Sequence, residues 1–215
     1  KLGNNTIGSS SLPSRMLGGT IDVVSGSGLS ASYTGYPTDT YSIVWGFVTN
    51  YIQPGGSSKV LPTGGTITFT GNYVPGSDLT ASDVGPSLGV VGTNINFSGT
   101  ISNIGIGSTS GSFKNFFQIA TAGSGGGVIT DLSDTSMATL VAGSSATASK
   151  SYKFTTAGTY SVRVCADKKD SADSGKIVEL KENNNCSAWV DVVVSLPPSV
   201  TEANNCSAWT KVVVS

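Results

Sequence analysis

The stretch GTNINFSGTISNIG, residues 92–105, carries the pattern that decides the fold. Ile95, Phe97, Gly99 and Ile101 alternate with asparagine, serine and threonine. Because successive side chains of a β-strand point to opposite faces, this alternation predicts a strand with one apolar and one polar face. Such a strand belongs to a sheet that packs on one side.

Similar strand patterns follow this stretch. Residues 113–122, FKNFFQIATA, form one, and residues 136–167 hold two more that are joined by the turn TTAG. The runs KIVEL, residues 176–180, and CSAWVDVVVS, residues 186–195, complete the set. About seven short strands with turn signals every 8–12 residues predict an antiparallel β-sandwich. We expect almost no helix, because glycine, serine and threonine interrupt every run of helical period.

Composition excludes several classes of function. Charged residues make up 12% of the chain, the net charge is −1, and the lysines and arginines are scattered. No basic surface is therefore predicted for nucleic acid, and no apolar run approaches the ~20 residues that span a bilayer. The chain has no histidine, which is the commonest general base, and no convincing pair of catalytic acids. We expect a protein that is not an enzyme and needs no cofactor.

The chain divides into four parts. Residues 1–17 are predicted to be an arm or linker, and residues 18–76 a small β module that ends at a Pro-Gly boundary. Residues 77–195 hold the sandwich, and residues 196–215 a Pro-Pro tether with an extra C-terminal strand. The strands predicted in the small module are Thr20–Val24, Ser30–Tyr33, Thr40–Phe47, Ser58–Leu61 and Thr66–Tyr73. Since the chain starts without a leader, we expect a mature or excised piece of a longer protein.

Several segments of the third part resemble one known family. They are Asp78-Leu79, ISNIGIGSTSG at 101–111, LVAGSSATASKSY at 140–152, AGTYSVRVCAD at 157–167 and E-x-x-ENNNCS at 179–187. In order and spacing they are similar to the CARDB domain, the cell-adhesion-related domain of bacterial surface proteins. The resemblance implies an immunoglobulin-like sandwich, often in tandem, that is extracellular or held at the bacterial cell surface. The resemblance implies no catalytic residue.

The first block resembles short β modules that are found beside such domains. The similarity lies in residues 46–73, GFVTNYIQPGGSSKVLPTGGTITFTGNY. Its aromatic side chains have two interpretations, a platform for a sugar or the core of a small domain. The residues in question are Tyr36, Tyr41, Trp45 and Tyr51.

Three cysteines in a chain with few other reactive side chains indicate an oxidising compartment. Cys165 ends one predicted strand and Cys186 begins the next, so the two should face each other across antiparallel neighbours. We predict a Cys165–Cys186 disulfide; the alternative is a pair of reduced core cysteines. Cys206 is then odd, or it competes for Cys165.

The loop between these strands concentrates acidic residues. Calcium binds six to eight oxygens, and this loop has several to offer, although it lacks the spacing of a known calcium loop. A solvated hairpin tip is the alternative. The acids are Asp167, Asp170, Asp173, Glu179 and Glu182.

The last predicted strand is written twice. Residues 182–195, ENNNCSAWVDVVVS, and residues 202–215, EANNCSAWTKVVVS, agree at eleven of fourteen positions. Twenty residues cannot build another sandwich, and an unpaired strand with three valines is an aggregation hazard. The extra strand therefore pairs with its own chain, pairs with a neighbouring subunit, or is the remnant of a deleted tandem domain.

Exchange between identical domains is the interpretation that the repeat favours, since a copy this close fits the same place in the sheet. A head-to-tail contact of that kind makes filaments unless it closes on itself. The residues predicted to carry the exchange are Cys206, Ala208, Trp209, Val212, Val213 and Val214. The hypothesis is a structural, adhesive surface module whose partners are other copies or neighbouring surface domains. The alternative is a carbohydrate-binding module whose partner is a glycan.

Overall fold

The computed structural model describes residues 6–9, 28–33, 39–65, 67–168 and 175–198 of the 215-residue chain. These residues form β-strands and one 3₁₀ turn, Gly123–Gly125, and none of their helices is long and apolar enough to cross a membrane. The strands before Gly76 are β1 (Thr6–Ser9), β2 (Gly28–Tyr33), β3 (Asp39–Val44), β4 (Tyr51–Ile52), β5 (Ser57–Leu61), β6 (Ile67–Asn72) and β7 (Val74–Pro75). The later strands are β8 (Leu79–Gly85), β9 (Leu88–Val90), β10 (Asn94–Asn103), β11 (Phe113–Ala120), β12 (Ile129–Asp131), β13 (Thr135–Met137), β14 (Ser145–Lys153), β15 (Gly158–Cys165) and β16 (Val190–Ser195).

Two sheets face each other in the part of the chain after Gly76. The smaller sheet has the order β14-β10-β8, and the larger has the order β12-β11-β15-β16-β9 with β13 also paired to β11. The chain leaves the smaller sheet after β8, passes the cis peptide Gly85-Pro86 and joins the larger sheet as β9. β9 therefore runs parallel to β16, whereas the other pairs are antiparallel. The predicted all-β, immunoglobulin-like sandwich is confirmed, with this one parallel pair as a departure.

The stretch that predicted the fold is the central strand of the smaller sheet. Phe97 and Ile101 are fully buried in the core between the sheets. Gly99 lies between them on the same face, where a Cβ atom would stand 2.7 Å from Cγ1 of Val164 in the larger sheet. A glycine is needed at this position because the two sheets approach too closely for any side chain.

The first block consists of three small sheets with the orders β1-β3-β5, β2-β6 and β4-β7. Thr6–Ser9 fall in the predicted arm and pair with β3. Trp45, Phe69 and Tyr73 are buried here, and a Cβ on Gly71 would stand 2.5 Å from Cε2 of Trp45. The predicted strand Thr20–Val24 lies outside the described residues.

Two details of the strand prediction are wrong. Residues 176–180, KIVEL, form no strand apart from one isolated bridge between Ser77 and Glu179. Most of their bonded backbone N–H groups go to side chains, since Ile177 N–H donates to Asp167 and Glu179 N–H donates to Glu182, whereas Leu180 N–H donates to the carbonyl oxygen of Ser77. Cys186 forms an isolated bridge with Cys165, and the regular strand begins only at Val190.

Candidate functional site

β16 lies between two neighbours in the larger sheet, and we call the place that it fills the last-strand slot. The strand pairs antiparallel with β15 and parallel with β9. Val192 and Val194 point inward and are 0% and 2% exposed, whereas Val193 points outward and is 50% exposed. The slot therefore accepts a strand that is apolar at the positions of Val192 and Val194 and tolerates a polar residue at the position between them.

The outward face of the slot is polar and specific. The Asp191 carboxylate accepts a hydrogen bond from the Ser161 hydroxyl at 2.9 Å and another from the backbone N–H of Ser124. Ser161 is fully buried under the 3₁₀ turn, and its hydroxyl oxygen accepts the N–H of Gly125 at 2.9 Å. One carboxylate therefore joins the last strand, β15 and the turn above them.

Trp189 precedes the strand and covers the next part of this face. The guanidinium carbon of Arg163 lies 4.6 Å from the centre of the Trp189 ring, a cation–π distance. Nε of Arg163 also donates to the side-chain oxygen of Gln118 at 2.6 Å. A Cβ on Gly125 would stand 2.5 Å from Nε1 of Trp189, so the turn needs a glycine where it passes the indole. The indole therefore has a fixed place beside the slot.

The predicted disulfide is confirmed. Sγ of Cys165 and Sγ of Cys186 are bonded, and the two Cα atoms lie 3.9 Å apart. The bond fastens the segment that enters the last-strand slot to the end of β15. It borders a cavity of about 230 Å³ that is also lined by Arg163, Glu182, Asn183 and Asn185. Cys206 lies outside the described residues.

The three described acids of the predicted calcium set, Asp167, Glu179 and Glu182, have hydrogen-bond partners within the fold. The Asp167 carboxylate accepts the backbone N–H groups of Lys176 at 3.1 Å and Ile177 at 2.6 Å. Burial raises the pKa of Asp167 above its usual range, although these two bonds oppose the rise. Asp170 and Asp173 lie outside the described residues. The carboxyl of Asp167 therefore shapes the loop, and calcium binding stays a prediction.

Glu179 has the largest pKa shift among the described acids of this set. The residue is 7% exposed, and its carboxyl accepts the N–H of Leu79 and the side-chain N–H of Asn185. Burial raises its pKa to about 8, with these bonds opposing the rise and the nearby Glu182 and Asp167 adding to it. Among the described residues, no three Asp, Glu, Cys or His side chains are grouped closely enough to hold a metal ion.

Sequence reasoning missed the buried polar joint where the sandwich begins. The side chain of Asn103 accepts the backbone N–H of Asp78 at 3.1 Å and donates to the carbonyl oxygens of Gly107 and Leu140. The Asp78 carboxylate in turn accepts a bond from Asn184 at 2.7 Å. Asn103 was hidden in the sequence because it continues the alternation of β10 as an ordinary inward position, where an apolar residue is expected.

The predicted aromatic ligand residues do not form one described surface. Trp45 is 2% exposed, and Tyr51 is half-buried. Tyr41 lies in β3, opposite Ser9 and Lys59 in the neighbouring strands. Tyr36 lies outside the described residues. The packing of Trp45 agrees with the core interpretation that the sequence left open. The residues predicted for strand exchange, Cys206, Ala208, Trp209, Val212, Val213 and Val214, also lie outside the described residues.

Comparison with known proteins gives one family and several solved structures. The crystal structure of the CARDB domain of PF1109 from Pyrococcus furiosus, in complex with di-metal ions, is 22% identical, with a TM-score of 0.44 over 57% of this chain and 96% of that chain. The solution structure of the same domain is 24% identical, with a TM-score of 0.42 over 55% and 95%. A β-glucosidase from Listeria innocua in complex with glucose is 15% identical, with a TM-score of 0.38 over 58% of this chain and 17% of that chain.

No curated protein matches the chain. The family model for CARDB matches residues 76–188, which run from the polar joint to the disulfide and cover the strands of both facing sheets except β16. This match spans more than half of the sequence, and the chain therefore belongs to the CARDB family of cell-adhesion-related domains.

Proposed function

We propose that this protein is a structural, adhesive module of the bacterial cell surface that joins to other copies of itself by strand exchange. In this arrangement the C-terminal residues 206–215 of one copy enter the last-strand slot of a neighbour. The exchange is of the β-strand addition type, in which main-chain hydrogen bonds give affinity and alternate side-chain positions give specificity.

The pattern of burial in the slot is the observation that carries this proposal. The slot buries Val192 and Val194 and leaves Val193 exposed. The tail repeats the same VVVS ending, so that Val212 and Val214 fall at the inward positions. The repeat therefore preserves the apolar residue at both fully buried positions of the slot.

The tether favours an exchange between chains. Leu196 is 69% exposed, and Pro197 and Pro198 follow it. Proline cannot donate to a sheet ladder and favours extended geometry, so the chain is directed away from the sheet after β16. A head-to-tail contact repeated in this way produces an open chain of subunits.

Other functions receive less support. A sugar platform needs an exposed aromatic ring, and the Trp45 ring is packed against the Gly71 backbone. The proposal includes no catalytic step, no cofactor and no nucleic-acid partner, because a passive link needs none of them. An oxidising, extracellular location suits the disulfide.

Variants of the tail test the proposal in the full chain. Val212→Asp or Val214→Asp puts a charge at an inward position and should abolish assembly, whereas Val213→Asp, at the outward position, should leave it intact. Assembly is measured by light scattering and by negative-stain imaging across a range of concentrations. If the unmodified chain stays monomeric at high concentration, both as folded and after unfolding and refolding under reducing conditions, the exchange is refuted and the protein is a passive link of a surface stalk.

A further inference from the structure

We propose that the last-strand slot distinguishes the two copies of its strand, and that Asp191 with Ser161 and Ser124 is the recognition element that reserves the slot for residues 190–195. This inference rests on the proposed function and adds its regulation: the tail copy is a weaker occupant, so it enters only a slot from which the resident strand has been released.

The two copies differ at three positions, and the resident residues at these positions differ in how closely they contact the slot. The pairs are Asn183 with Ala203, Val190 with Thr210, and Asp191 with Lys211. Asn183 is exposed beside the small cavity. Val190 and Asp191, in contrast, belong to the strand and contact the slot directly.

Asp191 makes the decisive contacts. Its carboxylate accepts from the Ser161 hydroxyl at 2.9 Å and from the N–H of Ser124. A lysine at this position carries donors only, so the N–H of Ser124 loses its acceptor and faces a positive charge, and the Ser161 hydroxyl can only accept from the ammonium instead of donating to it. Hydrogen bonds to a charged group are about twice as strong as neutral ones, so the tail copy loses two charge-assisted contacts that the resident strand makes.

Val190 adds to this preference. It is half-buried, packs against the core cluster and lies opposite Val162 in the register of β15 and β16. Threonine has nearly the same shape, but its hydroxyl must lose water on entering this site, and Val-to-Thr exchange is therefore not neutral. Both strand differences act in the same direction, against the tail.

The disulfide makes the identity of the occupant measurable. Cys186 stands at the beginning of the resident segment and pairs with Cys165. Cys206 holds the same place in the tail copy. After reduction, refolding and reoxidation in a glutathione buffer, the partner of Cys165 therefore reports which copy occupies the slot. Cleavage after Glu202 separates Cys186 from Cys206 for mass spectrometry.

The main test compares the full chain with Thr210→Val/Lys211→Asp, which gives the tail the resident sequence at both strand positions and leaves the resident strand untouched. We expect the ratio of Cys165–Cys206 to Cys165–Cys186 to rise about tenfold. Interchanging both positions, by also making Val190→Thr/Asp191→Lys, should invert the preference. Ser161→Ala should reduce the preference of the unmodified chain.

The matched control interchanges the third difference, Asn183→Ala with Ala203→Asn, and should leave the ratio unchanged. An equal ratio in the unmodified chain and in Thr210→Val/Lys211→Asp overturns the proposal, because chain connectivity alone then selects the occupant. The size of the Cys165–Cys206 species separates this inference from the proposed function. A bond between two chains supports both, whereas a bond within one chain supports the selective slot and refutes assembly by exchange.

Discussion

The two faces of the larger sheet hold the molecule together in different ways. The inner face contributes apolar side chains to one continuous core, among them Phe117, Val162, Val164 and Val192. The outer face carries the polar groups and the disulfide: Ser161 bonds Asp191, Arg163 bonds Gln118, and Cys165 is joined to Cys186. The inner face requires apolar alternation and adds a smaller preference through Val190, whereas the outer face carries most of the distinction between one strand and a near copy in the exchange that we propose. The stability of the fold and most of the selectivity of the slot therefore belong to opposite sides of one sheet.

The largest effect should come from a cavity on the inner face. Phe117 is fully buried between the sheets, so Phe117→Ala should lower the free energy of unfolding by about 3–5 kcal/mol. The outward neighbour Phe116 is half-buried, and Phe116→Ala should cost clearly less. Chemical denaturation followed by circular dichroism measures both. Equal losses would remove the distinction between the two faces.

Loss of the disulfide should be the largest effect on the outer face. The bond closes a separation of 21 residues, and in the chain-entropy model its removal costs about 3 kcal/mol. Cys165→Ala/Cys186→Ala should therefore shift the unfolding midpoint strongly under oxidising conditions. The control is Cys206→Ala, which leaves the bond intact and should not move the midpoint. An unfolding curve of the double variant that overlays the unmodified chain would contradict the prediction.

The inner face could be predicted from the sequence because its pattern is local. Alternation over ten residues is enough to place β10, and Gly99 was correctly put on its apolar face. The Cys165–Cys186 bond was also within reach, since its two residues end and begin successive strand patterns.

The outer face could not be predicted, because its partners are distant in the chain. Asp191 bonds Ser161, 30 positions away, and Ser124, 67 positions away. Periodicity within a single window contains nothing about such pairs. The segment KIVEL was wrongly assigned to a strand for the same reason. Its backbone groups bond to Asp167 and Ser77, which no local pattern could place beside it.

Titration of Glu179 should make stability depend on pH. The folded-state pKa of about 8 lies above the usual value of 4.5, so the folded protein keeps a proton that the unfolded chain releases between these values. The contribution of Glu179 to the free energy of unfolding is therefore fully present below about pH 4.5 and is lost as the pH rises towards 8. We expect the free energy of unfolding to fall by on the order of a few kcal/mol between pH 5 and pH 8.5 in denaturation curves.

Glu179→Gln should flatten much of this dependence, since the amide cannot ionise. The raised pKa of Asp167 has the same sign and accounts for a remaining slope. Glu182→Gln is the matched control, because its side chain is exposed and it also contacts the Glu179 backbone. The assignment is wrong if the control flattens the profile as much as Glu179→Gln does.

The smallest effects should separate two cations of the outer face by their surroundings. Arg163→Lys keeps the charge but loses the planar stack on Trp189 and the Nε bond to Gln118, and should cost about 1 kcal/mol. Lys114 is 61% exposed and pairs with the partly exposed Asp134 at 2.6 Å, so Lys114→Met should cost clearly less. Salt distinguishes the two further, because an exposed pair is screened and a stacked guanidinium is not. Denaturation in low and high salt should thus remove the Lys114 effect and keep most of the Arg163 effect. If high salt removes the effects of both variants, Arg163 acts as an ordinary surface charge. The arrangement of the outer face beside the slot then depends on Asp191 alone.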